Sequence, residues 1–413
     1  MLLQRLPYGR SVASTPVLPH PEWFARHGYA VVVQDCRGRG QSGGVFEPFV
    51  NEGHDGAASI EWAARLPFSD GRVATYGFSY QGLSQLYAAA EQPPSLVAIA
   101  PMMCSPDPYE GWFVEGGALR WPFVCFWAAQ LAGQDVQAGP IPFDTGALPI
   151  SEALGRRPPK WFSEWTSHPR RDGFWDRRTP DLDRITVPSF TVLGWFDDFS
   201  SGTATLIDRL KSEAWCGPWA HMPWGTRHGG VDFGPTASPA PVAQSLVDFF
   251  DRVLNRRPEL PAPPRVRYFV IGEGWRTSAA WPPSGSSLTL HATSASGNAN
   301  SRWGDGTLSI DIEPGLPSVL VAEPLVPVPG EAGDYQDESA THERRDVLCF
   351  TSDQLSEDRI IAGSPVVSLR TRSDRPSHDI VATLCIVNDD QTARLVSSYA
   401  QRLLNPVAPG SEH

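Results

Sequence analysis

The stretch Arg72–Ala90, RVATYGFSYQGLSQLYAAA, decides the fold of this chain. It reads as a short apolar strand, a sharp turn, and a helix whose apolar residues recur every three or four positions. Ser79 lies in the turn, with Gly77 two residues before it and Gly82 three after it; the usual nucleophile elbow has its second glycine at the place of Gln81. A serine on such a turn is strained, exposed and close to the positive end of a helix. The pattern predicts a nucleophile, although a Gly-Ser loop without chemistry would look the same when taken alone.

Length and charge limit the classes of protein that fit this chain. Its 413 residues exceed one ordinary core and predict two or three domains. With 41% hydrophobic and 19% charged residues, it is predicted to be globular. A formal net charge of −12 without a long basic run argues against nucleic acid as a partner and against binding to anionic membranes. No stretch approaches the roughly 18 apolar residues of a membrane helix, and no apolar segment of a signal peptide follows Met1.

The cysteines indicate the cellular compartment. All six are scattered along the chain, and no two form a Cys-x-x-Cys pair. Free thiols of this kind are typical of a reducing compartment, so we expect a cytoplasmic protein. Because no histidines cluster near them, we expect no metal site, and no motif indicates a cofactor. The Gly-rich turn at 35–40 lacks the Gly-Lys-Ser/Thr ending of a phosphate loop. Composition leaves self-association of the chain open.

Apolar runs alternate with helical patterns on both sides of the elbow. The runs are Met1–Leu6, Tyr29–Gln34, Val73–Tyr76, Ser95–Pro101, Val187–Trp195 and Glu213–Trp219. Most do not alternate with polar residues, which is typical of parallel strands that are covered on both faces. Helical patterns separate several of them, for example Asp55–Leu66, Gly202–Lys211 and Ala243–Leu254. Residues 1–104 and 181–255 are therefore predicted to form one α/β core around a parallel sheet.

Residues 105–180 break this alternation. The segment is rich in Trp, Pro and Gly, with short helical patterns at Leu119–Leu131 and Trp161–Thr166. A long aromatic insertion between two sheet strands predicts a helical lid over a pocket. A lobe that packs only on itself is the plainer alternative.

The chain changes in texture after Arg256–Pro264, RRPELPAPP, a Pro-rich linker that predicts a domain boundary. Beyond it, short β-like runs are separated by turn residues such as those at 304–306. The runs are Arg265–Ile271, Ser287–His291, Thr307–Ile312, Val319–Ala322, Val366–Thr371 and Asp379–Val387. This pattern predicts an all-β jelly roll, a type of β-sandwich, over residues 265–413.

Three residues stand at the ends of predicted parallel strands, in the order Ser79, Asp197 and His221. That is the order of the catalytic triad in an α/β-hydrolase, and loops at this edge of the sheet converge. A serine needs a histidine to take its proton, and the histidine needs a carboxylate to fix its tautomer. The competing residues are Asp198, His228 and His54. The predicted fold is thus an α/β-hydrolase core with an inserted helical lid, followed by an all-β jelly-roll C-terminal domain.

Several motifs resemble one group of serine hydrolases, that of cocaine esterase and X-Pro dipeptidyl-peptidase. The strongest are GFSYQG at 77–82, GWFD at 194–197 and GPWAH at 217–221. Further matches are VVQDCRGRG at 32–40, Ser69-Asp70-Gly71, Leu6-Pro7-Tyr8-Gly9 and Trp281-Pro282-Pro283. The resemblance covers nearly the whole chain. It implies a serine hydrolase that cleaves a small ester, an amide or a short peptide through an acyl-enzyme.

The resemblance also implies a role for each site residue. Ser79 would be the nucleophile, His221 the general base and Asp197 the residue that orients it. The oxyanion hole would consist of the Tyr8 hydroxyl and the backbone N–H of Tyr80. Within the group, a peptidase needs a carboxylate for the free N-terminal amine, and an esterase or acylase does not. The lid offers Asp107, Glu110, Glu115, Glu164 and Asp172 for this role, and the sequence does not place any of them in the pocket.

The chain departs from this group at three places. Only seven residues precede Tyr8, and the chain stops at His413, so both ends are short by comparison. The alternative function is therefore a catalytically impaired relative that binds a partner through its jelly-roll domain. A branch that hydrolyses α-amino acid esters has an acidic pair where this chain has Phe199 and Ser200, which argues against that branch.

Overall fold

The computed structural model describes residues 1–11, 17–133, 140–155, 158–323 and 335–404. The strands are β1 (Leu2–Leu6), β2 (Val31–Asp35), β3 (Val73–Phe78), β4 (Leu96–Met102), β5 (Val114–Glu115), β6 (Ala118–Leu119), β7 (Phe190–Phe196), β8 (Glu213–Ala220), β9 (Arg227–His228), β10 (Val231–Asp232), β11 (Val266–Val270), β12 (Gly274–Ser278), β13 (His291–Ser294), β14 (Gly306–Ser309), β15 (Ser377–Val387) and β16 (Ala393–Leu404). The helices are α1 (Pro21–Arg26), α2 (Glu52–Ala64), α3 (Tyr80–Ala90), α4 (Trp121–Ala132), α5 (Lys160–Ser167), α6 (Gly173–Asp176), α7 (Ser200–Arg209) and α8 (Ala240–Val253). Within these ranges, no helix combines the length and the apolar character needed to cross a bilayer.

The core is an α/β sheet with the elbow at its centre. One half has the order β2-β1-β3-β4 and is parallel throughout. The other half has the order β7-β8-β11-β12, in which only β12 runs antiparallel. The halves join where Ile99 on β4 bridges Ser189 and where the Met103 N–H donates to Val192 O over 3.0 Å. Every residue of β3 is buried, as its apolar run predicts.

The central sheet continues past the Pro-rich linker. The sequence predicts Arg265–Ile271 as a strand of the jelly roll, whereas β11 pairs in parallel with β8. Val266 and Tyr268 on β11 pack against Ala214 and Cys216 on β8 in one buried cluster. An apolar strand pairs where it buries the most apolar surface, and for β11 that place is the edge of β8 that β7 does not cover.

The C-terminal half has fewer regular strands than the sequence predicts. Among the described residues that follow β12, the regular strands form two antiparallel pairs, β13–β14 and β15–β16. The predictions of regular strands at Val319–Ala322 and Val366–Thr371 are wrong. Val319 is 76% exposed and Val366 is 87% exposed. These apolar runs therefore bury little side-chain surface, and burial of that surface is what stabilises a strand in a sheet. Residues 405–413, the end of the predicted domain, lie outside the described residues.

The inserted segment packs on the core through aromatic side chains. Phe49, just before α2, stacks on Trp127 of α4 at 5.9 Å and on Trp165 of α5 at 5.7 Å between ring centroids. These residues belong to the same buried cluster as Leu83 and Leu86 of α3. The insertion, the predicted lid, therefore shares the core of the sheet and does not pack only on itself.

Candidate active site

Ser79 occupies a strained turn between β3 and α3. Its backbone angles are φ 60° and ψ −130°, a sparsely populated combination for a residue other than glycine. The Ser79 N–H donates to Met102 O at 2.9 Å and to Met103 O at 3.2 Å, which ties the turn to the end of β4. The turn thus holds the serine at the carboxyl edge of the sheet, where the loops after the strands meet.

The two glycines explain how the chain makes this turn. Gly77 has φ +147°, and a Cβ there would lie 2.5 Å from the Cβ of Gln81. A Cβ on Gly82 would lie 2.7 Å from Cys104 Sγ. The second glycine therefore stands where α3 crosses the chain after β4. Gln81 takes the usual glycine position and uses its side chain, since its Oε1 accepts an N–H from Gln4 on β1 over 2.8 Å.

Asp197 and His221 are brought together at the ends of β7 and β8. The Nδ1 of His221 lies 2.7 Å from Asp197 Oδ1. The Asp197 side chain is fully buried, and that of His221 is 20% exposed. When a carboxylate accepts a hydrogen bond from Nδ1–H, Nε2 is left unprotonated and can accept a proton. The pair can therefore take a proton from a nucleophile.

The competing residues have other partners. Asp198 pairs with Arg120 of the lid at 2.9 Å. His228 accepts the N–H of Ala220 at its Nε2 over 3.3 Å. His54 is 87% exposed and lies near Glu91. The geometry favours Asp197 and His221 over all three.

Aromatic contacts join His221 to the turn that carries Ser79. Its ring lies 5.3 Å from that of Phe78 and 5.3 Å from that of Phe199, and Phe78 immediately precedes Ser79. Among the described residues, no hydrogen bond joins the Ser79 hydroxyl to the imidazole. Catalytic hydrogen bonds are often long in a free enzyme and tighten when substrate binds.

Both predicted oxyanion donors are neighbours of Ser79. Tyr8 follows β1, and its ring lies 6.4 Å from that of Tyr80, the residue after Ser79. Trp127 of the lid donates its Nε1–H to that hydroxyl over 3.0 Å. Burial raises the pKa of Tyr8 to about 12, so the phenol keeps its proton at neutral pH. Tyr80 is the first residue of α3, and the first amides of a helix have no acceptor within it.

A buried polar network, which no sequence motif indicates, contacts the elements that carry these donors. Glu52 accepts a hydrogen bond from the Tyr80 hydroxyl at 2.8 Å and pairs with Arg5 at 3.0 Å. Arg5 belongs to β1 and Tyr80 to α3, so Glu52 links the two elements that carry the donors. Burial, together with the nearby Glu52 charge, raises the pKa of Tyr80 well above its usual value. The one available signal was a charged residue inside the apolar run of β1.

The five lid acids named for the amine-binding role all have partners within the protein. Asp107 contacts Arg171, Glu110 accepts the N–H of Gly116, Glu115 accepts the N–H of Ala400, Glu164 pairs with Lys160, and Asp172 pairs with His168. The side chains packed near His221 are instead aromatic. Phe199 contacts Trp112 at 4.5 Å and Phe123 at 5.6 Å between ring centroids.

Comparison with known families covers most of the chain. Residues 1–223 match X-Pro dipeptidyl-peptidase (S15 family), and residues 260–405 match the X-Pro dipeptidyl-peptidase C-terminal non-catalytic domain. Cocaine esterase of Rhodococcus sp. (strain MB1 Bresler) is 30% identical over an alignment of 458 positions, gaps included. The alignment covers 98% of this chain and 79% of that protein.

Solved structures have the same architecture. An α-amino acid ester hydrolase labelled with selenomethionine is similar with a TM-score of 0.77 at 22% identity, over 100% of this chain and 79% of that one. An aminopeptidase from the marine sediment archaeon Thaumarchaeota archaeon gives 0.71 at 20% identity, over 100% and 80% of the two chains. At these identities the structures show the fold, an α/β-hydrolase with a C-terminal β domain.

Proposed function

Since this chain belongs to the X-Pro dipeptidyl-peptidase family of serine hydrolases, we propose that it cleaves a carboxylic ester or amide through an acyl-enzyme on Ser79. The observation that carries the proposal is the strained Ser79 turn beside a buried carboxylate that binds His221 at 2.7 Å. Ser79 Oγ attacks the carbonyl carbon while His221 Nε2 takes its proton. The imidazolium, stabilised by Asp197, then gives that proton to the departing alcohol or amine.

The oxyanion forms on the former carbonyl oxygen. We assign the Tyr8 hydroxyl and the Tyr80 N–H as its donors, because both are next to Ser79 and the raised pKa of Tyr8 keeps its proton in place. Donors fixed before the reaction stabilise the tetrahedral intermediate more than the flat carbonyl. Water then attacks the acyl-enzyme, with His221 again as the base, and releases the acid.

The substrate class follows from the lid. A dipeptidyl-peptidase needs a carboxylate for the free N-terminal amine. The five lid acids named for that role already contact other groups of the protein, and Glu152, a further acid of the lid, is exposed. Trp112 and Phe199 pack as buried rings near His221, and the partly buried ring of Phe123 beside them suits an apolar acyl group. We therefore favour an ester or acylamide with an aromatic or bulky acyl part over an X-Pro peptide.

A substrate panel tests this preference. p-Nitrophenyl esters of benzoic, phenylacetic and acetic acid are compared with X-Pro p-nitroanilides in wild type and in Ser79→Ala. We expect kcat/KM for the aromatic esters to exceed that for the anilides by about 100-fold or more. Faster cleavage of the anilides, lost in Ser79→Ala, would reassign the substrate class. Hydrolysis that survives Ser79→Ala would contradict the nucleophile itself.

The thiols support a reducing compartment such as the cytoplasm. All six cysteines are free, and Cys36, Cys104, Cys125 and Cys216 are buried. Burial raises the pKa of the Cys36 and Cys104 thiols, which leaves them protonated and unreactive. Thiol titration of the unfolded protein, purified without reductant, should find six free thiols.

A further inference from the structure

The lid helix α4 contacts the predicted oxyanion hole directly. Trp127 on α4 is 5% exposed, and its Nε1–H donates to the hydroxyl oxygen of Tyr8 over 3.0 Å. Since that oxygen accepts the indole N–H, the phenol's own proton can be donated to another acceptor, and the Tyr8 ring lies 6.4 Å from that of Tyr80, the residue after Ser79. The chain of donors therefore runs from the lid through Tyr8 to the reacting centre.

We propose that Trp127 is a positioning residue of the oxyanion hole, an inference that rests on the proposed role of Tyr8. Its N–H holds the phenol in one orientation and polarises the O–H bond, because consecutive hydrogen bonds strengthen one another in a buried site. As Tyr8 donates to the developing oxyanion, negative charge builds on the phenol oxygen, and the indole N–H stabilises it there. The benefit is larger in the transition state than in the bound substrate, so it acts on kcat.

A second contact keeps these two elements at a fixed distance. Arg39 is 5% exposed and donates to Pro7 O at 2.7 Å, one residue before Tyr8. Its other bonds go to Leu131 O at 2.7 Å and to Gly133 O at 2.8 Å, at the end of α4. One buried guanidinium thus ties the loop that carries Tyr8 to the helix that carries Trp127. The lid is attached to the oxyanion hole at two points.

Trp165 provides a matched control. It is 1% exposed, lies 5.7 Å from Trp127 between ring centroids, and stacks on Phe49 as Trp127 does. Its Nε1 has no hydrogen-bond partner among the described residues. Phenylalanine at either position removes the same atoms from the same aromatic cluster, but only at 127 does it remove a bond to Tyr8.

The test is a double-mutant cycle on a p-nitrophenyl ester. Trp127→Phe and Trp165→Phe are each made in the wild type and in Tyr8→Phe, and kcat and KM are measured separately. We expect Trp127→Phe to lower kcat about tenfold with KM nearly unchanged, and Trp165→Phe to change kcat less than about twofold. In the Tyr8→Phe background, Trp127→Phe should have no further effect on kcat, because it acts through the phenol.

Equal losses from Trp127→Phe and Trp165→Phe, or a Trp127→Phe loss that persists in Tyr8→Phe, would overturn the proposal. If Trp127→Phe unfolds, benzothienylalanine at position 127 keeps the shape and removes only the N–H; unchanged kcat in that protein would overturn the proposal equally. Failure of the proposed function looks different, since Ser79→Ala would then remain active. Unchanged kcat in Tyr8→Phe, with Ser79→Ala inactive, would remove the oxyanion role of Tyr8 and the role of Trp127 with it.

Discussion

Asp197 and Asp198 are neighbours in the chain and lie in opposite environments. The Asp197 side chain is fully buried and binds His221, whereas that of Asp198 is 43% exposed and pairs with Arg120. A buried carboxylate that binds the imidazole fixes its tautomer and stabilises the imidazolium. The exposed carboxylate of Asp198, which pairs with Arg120, does neither.

Asparagine at each position separates the two acids. Asp197→Asn should lower kcat by about 10⁴, because the amide holds the imidazole in the wrong tautomer. Asp198→Asn should lower it by less than about tenfold, since it removes only a partly exposed ion pair. Both are measured as kcat on a p-nitrophenyl ester. A larger loss at 198 than at 197 would reverse the assignment.

Tyr8 and Tyr80 are predicted to contribute to the same hole through different atoms. Tyr8→Phe removes the proposed donor and should lower kcat by about 10²–10³ with little change in KM. Tyr80→Phe keeps the backbone N–H and should affect kcat far less. It should instead destabilise the fold by about 1–3 kcal/mol, because the buried Glu52 loses a hydrogen-bond partner. Wild-type kcat in Tyr8→Phe, in a folded and Ser79-dependent enzyme, would exclude the phenol from the mechanism.

The proposed triad could be assembled from the sequence because each member follows an apolar run, and the ends of parallel strands converge. Asp197 follows β7 and His221 follows β8, so their positions mark their roles. Glu52 and Trp127 could not be predicted in this way. Each lies far along the chain from the residue that it contacts, Tyr80 for Glu52 and Tyr8 for Trp127. No motif or spacing in the sequence indicates that these pairs are in contact.

At the scale of elements, the elbow depends on how closely α3 approaches β4. Gly82 is the contact point, since a Cβ there would lie 2.7 Å from Cys104 Sγ and 3.0 Å from Met102 O. Gly53 on α2 is also helical. The nearest atom to a Cβ there would be Oε1 of Glu91, the end of a flexible side chain, at 3.1 Å, and the nearest backbone atom would be Tyr87 O at 3.5 Å. The two glycines therefore differ in packing and share a helical backbone.

Alanine at these glycines measures the approach. Gly82→Ala should destabilise the protein by about 1–3 kcal/mol through overpacking, and Cys104→Ala in the same chain should recover part of the loss. Gly53→Ala should be neutral or stabilising by up to about 1 kcal/mol, because alanine is the better helix former. Thermal unfolding of the three proteins gives the comparison. Equal unfolding temperatures for Gly82→Ala and Gly53→Ala would show that α3 can shift without cost.

Element predictions succeeded where apolar periodicity coincides with burial. Most of the α/β runs are buried, the edge strand β2 only partly, and their strands occur within a few residues of the predicted bounds. Val319–Ala322 and Val366–Thr371 have similar composition but are largely exposed, and β11 joined the neighbouring sheet. A run of apolar residues records a tendency to be buried, and it does not record which partner will cover it.

On the scale of the whole molecule, the C-terminal half is attached to the lid. The backbone N–H of Arg402 on β16 donates to Gly116 O at 2.8 Å, and that of Ala400 donates to Glu115 Oε2 at 2.9 Å. Gly116 lies between β5 and β6, and Arg120 immediately after β6 pairs with Asp198 beside the triad carboxylate. The C-terminal domain therefore reaches the active-site loop through the short lid hairpin.

Valine at two adjacent glycines tests this attachment. Both have positive φ, +53° at Gly116 and +80° at Gly117, so the backbone strain of substitution is similar. A Cβ on Gly116 would lie 2.2 Å from Ala400 O, whereas one on Gly117 meets only Arg402 Cβ at 3.5 Å. Gly116→Val should therefore lower both the unfolding temperature and kcat more than Gly117→Val. Equal effects would leave the two halves uncoupled.

The central claim is that Ser79 is a nucleophile activated by His221, and active-site labelling tests it most directly. The folded wild-type protein is incubated with a fluorophosphonate, its intact mass is measured, and the modified peptide is sequenced. We predict one adduct per chain, on Ser79, absent in Ser79→Ala and formed far more slowly in His221→Ala. A folded wild-type protein that takes up no label, or that carries the adduct on another residue, would contradict the account.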